Sequence, residues 1–155
     1  MILRKIFGYD DEAIDTFINK WMNLIESTEF LAFDKNFPYT HPTLSRLYGR
    51  AKLIVCTARQ HRLSTVEQLK NLNLLNFFSE ILVTEKINSK SFLIQSQLSC
   101  INENDWIIGD TGNDINTGKQ LGIKTCAVLS GFLNSTSLLQ YKPDVVLNSI
   151  NDFSI

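Results

Sequence analysis

The sequence has little that would mark a secreted, membrane-spanning or nucleic-acid-binding protein. Its three cysteines, Cys56, Cys100 and Cys126, are odd in number and far apart, with no Cys-x-x-Cys spacing. No apolar run approaches the length of a bilayer-spanning helix, and the first residues lack the long apolar stretch and cleavage site of a signal peptide. The net charge of −1 gives no overall attraction to nucleic acid or acidic lipid. We expect a reduced cytoplasmic setting with no nucleic-acid or membrane partner.

Composition and length are those of an ordinary globular chain. Hydrophobic residues make up 44% and charged residues 20% of the sequence, which is typical neither of disordered chains nor of membrane proteins. A length of 155 residues accommodates one domain, or a core with a small appendage. The hydrophobic pattern divides the chain into a helical segment at residues 1–35 and a larger α/β core at residues 36–155.

The N-terminal segment predicts an amphipathic helix over residues 9–28. Apolar residues recur there at intervals of three and four positions, which places them on one helix face: Ile14, Phe17, Ile18, Trp21, Leu24 and Ile25. The acidic residues at positions 10–12 suit the positive end of the helix dipole. The apolar residues 30–33 are too few to indicate either a helix or a strand.

From residue 42 onward, short apolar runs alternate with helical patterns. Strands are predicted at residues 52–57, 78–84, 105–110 and 124–131, with a last strand or turn at 143–150. Helices are predicted at residues 42–48, 64–72, 89–98, 114–121 and 136–141. Ser64 and Glu67 have the spacing of a capping box, which favours Ser64 as an N-cap. Apolar strands that alternate with helices indicate a parallel sheet covered by helices on both faces.

Polar residues follow the predicted strands, at the edge where parallel α/β sheets have their binding sites. Thr57 and Ala58 end the first strand, where a hydroxyl and free backbone N–H groups can hold a phosphate oxygen. Lys90 begins the helix after the second strand, where a cation opposes the helix dipole and contributes little to helix stability. Lys86 is the alternative for the same role. These residues are candidates for binding an anionic substrate.

The third strand is followed by two carboxylates, Asp110 and Asp114, with Gly109 and Gly112 permitting a tight turn. Oxygen ligands in this arrangement suit Mg²⁺, which takes one or two carboxylates and keeps several waters. Helix capping would explain Asp114, but it would not explain an aspartate that directly follows an apolar strand. The sequence therefore predicts a Mg²⁺ site at Asp110 and Asp114.

The order of these residues resembles that in haloacid dehalogenase-like hydrolases, particularly their phosphoglycolate phosphatase-like branch. The segment IVCTAR (54–59), Lys90 and the segment GDTGND (109–114) are similar to the second, third and fourth motifs of that family. The resemblance covers residues 42–153 and implies a Rossmann-like three-layer core, preceded by a helical segment that resembles part of the family's cap. It also implies that Thr57 and Lys90 bind the phosphoryl group and stabilise its charge.

The family's first motif, an apolar strand ending in Asp-x-Asp, does not occur in this sequence. In the family the first Asp attacks the phosphorus to form an aspartyl-phosphate, and the second acts as acid and base. Two interpretations remain open. In one, the motif lies upstream or has been lost, and the chain is truncated or degenerate. In the other, FLAFDKN (30–36) is a degenerate first motif, with Asp34 at the nucleophile position and Asn36 replacing the second Asp.

A missing first motif also raises the question of what completes the sheet. In the family that strand is central, so its loss would leave unpaired backbone groups in the middle of the sheet. Residues 30–33, residues 2–7 and a partner chain are three candidates for filling the position. An unfilled position would favour self-association.

The resemblance implies Mg²⁺-dependent, phosphatase-type hydrolysis of small phosphorylated metabolites, impaired or inactive in this chain alone. The alternative is a non-catalytic protein that binds phosphate or a metabolite on the same scaffold. A receiver-type domain is not favoured, because the segment ILVTEK (81–86) lacks the aspartate that such a domain would phosphorylate. The sequence does not name the substrate, since substrate choice in this family depends largely on the cap.

Overall fold

The computed structural model describes residues 2–154 and divides the chain into two compact units. Unit 1 is Met1–Lys35 and unit 2 is Asn36–Ile155. The described part of unit 1 contains helices without strands, whereas unit 2 alternates strands with helices. Among residues 2–154, no helix combines the length and the apolar character needed to cross a membrane.

Unit 1 consists of three helices, α1 (Ile2–Phe7), α2 (Asp11–Ile25) and α3 (Thr28–Leu31). Helix α2 begins after Asp10, whose extended backbone lets its carboxylate accept a hydrogen bond from the N–H of Ala13 at 2.8 Å. This bond satisfies one of the N–H groups that a helix start leaves without a partner. The long amphipathic helix predicted for residues 9–28 is therefore present in shorter form.

Apolar side chains of unit 1 remain largely outside a core. Ile14 is the buried residue of α2, while several others on the predicted apolar face stay exposed: Phe17, Ile18, Trp21 and Leu24. Residues 2–7 and most of residues 30–33 are helical or in a turn, so neither segment is a strand. The proposal that one of them fills the central sheet position is therefore wrong for this structure.

Unit 2 follows the predicted alternation of elements, which confirms the α/β fold class. Its strands are β1 (Ile54–Thr57), β2 (Glu80–Val83), β3 (Trp106–Gly109), β4 (Lys124–Val128) and β5 (Val145–Leu147). Its helices are α4 (Thr40–Tyr48), α5 (Arg62–Asn71), α6 (Lys90–Gln97), α7 (Gly112–Leu121) and α8 (Ser135–Leu139), with single 3₁₀ turns at Leu75–Phe77 and Ile150–Asp152.

The start of α5 differs from the prediction. The helix begins at Arg62, after His61, so Ser64 lies inside the first turn and is not the N-cap. The N–H of Arg62 donates instead to the carboxylate of Glu85, 3.2 Å away in the loop after β2. The Glu85 side chain thus supplies the hydrogen-bond acceptor at the start of α5 that the sequence pattern had assigned to Ser64. The spacing of residues within the helix cannot reveal a partner that lies in another loop.

All strand pairs in unit 2 are parallel, but they form two sheets where the sequence predicted one. Strands β1 and β2 pair in one sheet, with Cys56 opposite Leu82. Strands β3, β4 and β5 form the other, with Ile108 opposite Cys126 and Cys126 opposite Val145. The described residues contain no strand that joins β1 to β3. The apolar runs of the described residues in unit 2 form the strands of these two sheets. None of them takes the position between β1 and β3.

The three-stranded sheet carries apolar clusters on both faces. Cys126 and Val128 point to one face, where α4 contributes Leu47 and the chain end contributes Phe153. The intervening Ala127 points to the other face, as strand alternation requires, and packs there with residues of α7 and α8: Ile115 and Leu138. Burial raises the pKa of the Cys126 thiol to about 11, so this cysteine packs as a small protonated apolar residue.

A polar contact at the edge of this core connects the buried Thr125 of β4 to the exposed Asp144, the residue before β5. The buried Thr125 donates from both its N–H and its hydroxyl to Asp144 Oδ2, each at 2.7 Å, and Thr125 Oγ1 accepts from the N–H of Asp144 at 3.0 Å. The hydroxyl bond, followed by the backbone bond, lowers the pKa of Asp144 below its ordinary value of 3.8. The ionised carboxylate is therefore the form that stabilises the fold.

We predict that Thr125→Val lowers the free energy of unfolding by about 0.5–1.5 kcal/mol at pH 7, because Asp144 is exposed and water screens its charge. Because a lowered folded-state pKa stabilises only the ionised form, the difference from wild type should shrink as the pH falls below about 3.8. Urea unfolding at pH 3 to 7 measures both effects. The control Thr125→Ser keeps the hydroxyl and should retain most of the pH dependence. An equal loss at all pH values would contradict this account.

Candidate functional site

The polar residues predicted from the strand ends belong to elements that meet at one edge of unit 2. Thr57 is the last residue of β1, and Asp110 directly follows β3. Lys90 is the first residue of α6, and Asp114 lies in the first turn of α7. Helix α6 packs against β1, β2 and α7, which brings the residues of the two sheets toward each other.

Lys90 and Asp114 form a buried ion pair. Lys90 Nζ lies 2.5 Å from Asp114 Oδ1, and the two side chains are only 11% and 8% exposed. Removing either charge would leave the other in a poorly solvated position, which costs several kcal/mol. A lysine ammonium has three N–H donors, and the bond to Asp114 uses one of them. The pair therefore holds a cation at the site that can still donate to an anion.

The position of Asp114 is fixed by the turn that begins α7. Its Oδ2 accepts hydrogen bonds from the N–H of Thr111 at 3.1 Å and from the Thr111 hydroxyl at 2.7 Å. A Cβ atom at Gly109 would overlap the Asp114 carboxylate, so this close approach requires glycine there. Asp114 thus stabilises the start of α7 through Thr111 and also pairs with Lys90. It therefore caps the helix and contributes to the candidate site as well.

Asp110 is held by the loop that follows β4. Its Oδ2 accepts a hydrogen bond from the N–H of Phe132 at 2.6 Å, and a Cβ atom at Gly131 would overlap its side chain. The bond to Phe132 uses one carboxylate oxygen, so the other can accept a further ligand. Asp110 is therefore oriented by residues more than twenty positions away in the sequence.

Thr57 and Ala58 lie at the end of β1, where Thr57 is half-buried and Ala58 is exposed. The carbonyl oxygen of Thr57 accepts a hydrogen bond from the N–H of Thr84 at 3.0 Å, which ties the strand end to β2. Burial and the charges of Lys90 and Asp114 all affect the pKa of the neighbouring Cys56 thiol. Burial raises the pKa of its thiol, while Lys90 lowers it and Asp114 raises it. Cys56, Asp110 and Asp114 line the same cavity, which places the end of β1 near the ion pair.

The two lysines considered for the cationic role occupy different surroundings. The Lys90 side chain is largely buried and contacts Asp114, whereas Lys86 is exposed in the turn after β2 with a left-handed backbone (φ 60°). Among residues 2–154, no three His, Cys, Asp or Glu side chains come together as a metal-binding group. The site therefore consists of one cation, two carboxylates and the end of β1.

Comparison with known proteins agrees with this arrangement of motifs. The sequence model of the haloacid dehalogenase-like hydrolase family matches residues 1–128. The chain belongs to this family. It is 23% identical over 122 residues to a phosphoglycolate phosphatase from Salmonella typhimurium, which covers 75% of this chain and 48% of that protein. The chain thus spans about half the length of the curated relatives it matches first.

Further relatives extend the same picture to more of the chain. A pyrophosphatase, PpaX, from Oceanobacillus iheyensis is 25% identical over 150 residues, covering 92% of this chain and 67% of that protein. A haloacid dehalogenase-like family hydrolase from Streptococcus pneumoniae has a similar structure, with a TM-score of 0.78, 22% identity and coverage of 92% and 69%. These matches confirm the family and support its phosphoglycolate phosphatase-like branch.

Several residues that position the site were not singled out from the sequence. Gly131 and the N–H of Phe132 orient Asp110, and Thr111 orients Asp114. The one available signal was that Gly131 ends the predicted strand at 124–131, on the edge that carries the other site residues. Cys56 was not singled out either, because nothing in its local sequence indicates a charged neighbour.

We predict that Lys90→Met lowers the free energy of unfolding by about 3–5 kcal/mol, because it leaves Asp114 buried without its cation. The double variant Lys90→Met with Asp114→Asn should recover much of that loss, since no unpaired charge remains. Urea unfolding of wild type, both single variants and the double variant gives the coupling free energy. Additive effects in this cycle would show that the two side chains do not form a pair in solution.

We predict that Gly131→Ala displaces the Asp110 carboxylate, since the added Cβ atom would overlap it. The N–H of Phe132 should lose its hydrogen bond, and its NMR resonance should move upfield. Gly49→Ala is the matched control, because nothing lies within 4 Å of a Cβ atom at that position. It should leave the Phe132 resonance unchanged. An unchanged Phe132 resonance in Gly131→Ala as well would mean that the loop after β4 does not orient Asp110.

Proposed function

We propose that this edge of unit 2 binds the phosphoryl group of a small phosphorylated metabolite. The observation that carries the proposal is the buried Lys90, held at 2.5 Å from Asp114 with further N–H donors to offer. Thr57 and the backbone N–H of Ala58 lie at the end of the neighbouring strand and would donate to the other phosphoryl oxygens. Lys90, rather than the exposed Lys86, supplies the positive charge. The names of the Salmonella and Oceanobacillus relatives support a phosphorylated substrate.

We propose Mg²⁺ as the cofactor of this site, with Asp110 as its protein ligand. Asp110 has one carboxylate oxygen beyond the bond to Phe132, whereas both oxygens of Asp114 already accept hydrogen bonds. One carboxylate with water and phosphate oxygens is enough for weak Mg²⁺ binding, and Asp114 would support the ion through water. When bound, Mg²⁺ would neutralise charge on the phosphoryl oxygens. A structural neighbour of 20% identity, the protein YfnB from Bacillus subtilis, is described with bound magnesium.

We propose that residues 1–155 alone are a poor or inactive phosphatase. Stabilisation of charge accelerates a reaction only where a nucleophile attacks, and no strand of the described residues ends in Asp-x-Asp, the position of the family's nucleophile. Asp34, the remaining candidate, follows helix α3 and a turn and so does not end a strand. This local structure argues against FLAFDKN as a degenerate first motif. Unit 1 would then correspond to part of the family's cap, as its sequence resemblance suggests.

The second candidate function is phosphate or metabolite binding without turnover. It is favoured by the hydrogen bonds that already occupy both oxygens of Asp114 and one oxygen of Asp110. Both candidates require an anion at Lys90, and they differ only in hydrolysis. In either case we expect the reduced cytoplasmic setting that three unpaired cysteines suggest.

We predict that the purified chain binds inorganic phosphate and hydrolyses p-nitrophenyl phosphate little above the uncatalysed rate in the presence of Mg²⁺. Isothermal calorimetry should give phosphate binding that weakens at least about tenfold in Lys90→Met, which corresponds to about 1.4 kcal/mol. The exposed Lys86→Met is the matched control and should bind as wild type does. Circular dichroism at the assay temperature establishes that each variant is folded.

Two results would contradict this proposal. Phosphate binding that is insensitive to Lys90→Met in a folded variant would remove the proposed site. Robust hydrolysis by the wild-type chain would contradict the impaired state, and its loss in Asp34→Asn would then identify Asp34 as the nucleophile despite its position after a helix.

Calorimetry with Mg²⁺ should show weak binding that is lost in Asp110→Asn.

A further inference from the structure

The turn after β2, residues 84–88, lies between that strand and α6, whose first residue is Lys90. Two successive residues of this turn, Glu85 and Lys86, have left-handed backbones with φ angles of 50° and 60°. Residues with a Cβ atom rarely adopt this conformation, because the Cβ atom comes too close to the backbone. The contacts that the turn makes must therefore hold it in place.

Three hydrogen bonds join this turn to the segment between β1 and α5. The N–H of Thr84 donates to the carbonyl oxygen of Thr57 at 3.0 Å, and the N–H of Glu85 donates to that of Arg59 at 3.0 Å. Glu85 Oε1 accepts from the N–H of Arg62, the first residue of α5, at 3.2 Å. The turn thus contacts the segment at its beginning, in its middle and at its end.

Glu85 supplies a hydrogen-bond acceptor at the start of α5. The side chain of His61, the residue before the helix, makes no capping hydrogen bond. The first N–H groups of a helix have no partner within the helix, and the Glu85 carboxylate accepts from one of them. Its negative charge also suits the positive end of the helix dipole. The side chain of Glu85 therefore keeps the start of α5 next to the turn after β2.

The groups that the proposed phosphate site uses lie next to this turn and this segment. Thr57 ends β1 and Ala58 begins the segment that follows it, while Lys90 comes directly after the turn and the helix cap Ser89. A hydrogen bond weakens when its donor moves away from the acceptor or loses its alignment with it. The bonds between the turn and the segment therefore affect how well these groups can bind one phosphoryl group together.

We propose that Glu85 is a positioning residue for phosphoryl binding, which keeps the donors at the end of β1 in place relative to Lys90. It does so through its bonds to the carbonyl oxygen of Arg59 and the N–H of Arg62. Glu85 acts through the segment after β1 and not by touching the phosphoryl group, because an ionised carboxylate only accepts hydrogen bonds and repels an anion. This inference rests on the proposed function of the same edge.

Two substitutions of Glu85 separate positioning from charge. Glu85→Ala removes the acceptor, so we expect phosphate binding to weaken by about threefold to tenfold, the usual effect of one hydrogen bond. Glu85→Gln keeps an acceptor oxygen without the charge and should bind phosphate at least as tightly as wild type. A role through charge alone predicts instead that both variants bind phosphate more tightly, since both remove a negative charge.

A third variant, Glu85→Gly, distinguishes the lost acceptor from the strained backbone. Glycine adopts the left-handed conformation without steric cost, so this variant should be at least as stable as Glu85→Ala and should bind phosphate equally weakly. Glu67→Ala is the matched control, since it removes an exposed glutamate within α5, and it should bind as wild type does. Isothermal calorimetry with inorganic phosphate measures binding by the 155-residue chain. NMR without phosphate follows the Arg62 amide, which should move upfield in Glu85→Ala and Glu85→Gly but not in Glu85→Gln.

Several results would overturn the positioning role. Unchanged phosphate binding in Glu85→Ala would do so, as would equal weakening in Glu85→Gln, wild-type binding in Glu85→Gly, or an Arg62 amide that does not move in Glu85→Ala. Tighter binding in both Glu85→Ala and Glu85→Gln would assign the effect to charge alone. If Lys90→Met weakens phosphate binding and Glu85→Ala does not, this inference fails and the proposed function stands. A wild-type chain that binds no phosphate would refute both.

Discussion

The ion pair between Lys90 and Asp114 connects the two halves of the α/β core. Lys90 begins α6, which packs on β1 and β2, and Asp114 lies in α7, which packs on β3 and β4. No described strand joins β1 to β3, so the two sheets are not linked by backbone hydrogen bonds as they would be in a continuous sheet. Side chains such as those of Lys90 and Asp114 link them instead. A buried pair is costly when one partner is missing, so the arrangement of the two halves at this edge depends on both charges being present.

Apolar packing complements that connection. Leu53, just before β1, packs against the cluster formed by Leu47, Cys126, Val128 and Phe153 on the three-stranded sheet. The two sheets are thus held together by side-chain contacts, since no described strand pairs with both β1 and β3. In the described chain, one edge of β1 and one edge of β3 therefore have no strand partner.

The chain belongs to the haloacid dehalogenase-like family. The residues of its motif-like segments, Thr57, Lys90 and Asp114, lie at strand ends and helix starts on one edge of unit 2. The glycines that contact the two carboxylates serve this edge directly, since Gly109 leaves room for Asp114 and Gly131 leaves room for Asp110. The chain covers about half of its first curated relatives, 48% of the Salmonella phosphatase. The proposal of a phosphate site at this edge rests on the contacts of Lys90, Asp110 and Asp114.

The sequence by itself determined the family, the order of strands and helices, and the candidate residues Thr57, Lys90, Asp110 and Asp114. These follow from local information: apolar runs specify strands, and polar residues directly after them lie at the carboxyl edge of a parallel sheet. The sequence left Lys86 as the alternative to Lys90, because both lysines lie in the same short segment after the second strand. Only the tertiary structure shows that Lys90 is the partner of Asp114. The start of α5, where Glu85 replaces the predicted Ser64 cap, likewise required the tertiary structure.

Only the tertiary structure decided that the sheet is divided and that residues 2–7 and 28–31 are helical. Short apolar runs suit helix and strand alike, and the outcome depends on which backbone partners are within reach. The sequence likewise could not reveal which residues of β1 and β3 lie opposite which residues of their partner strands. Strand register sets which residues face which neighbour, and register is a property of paired strands rather than of either one alone.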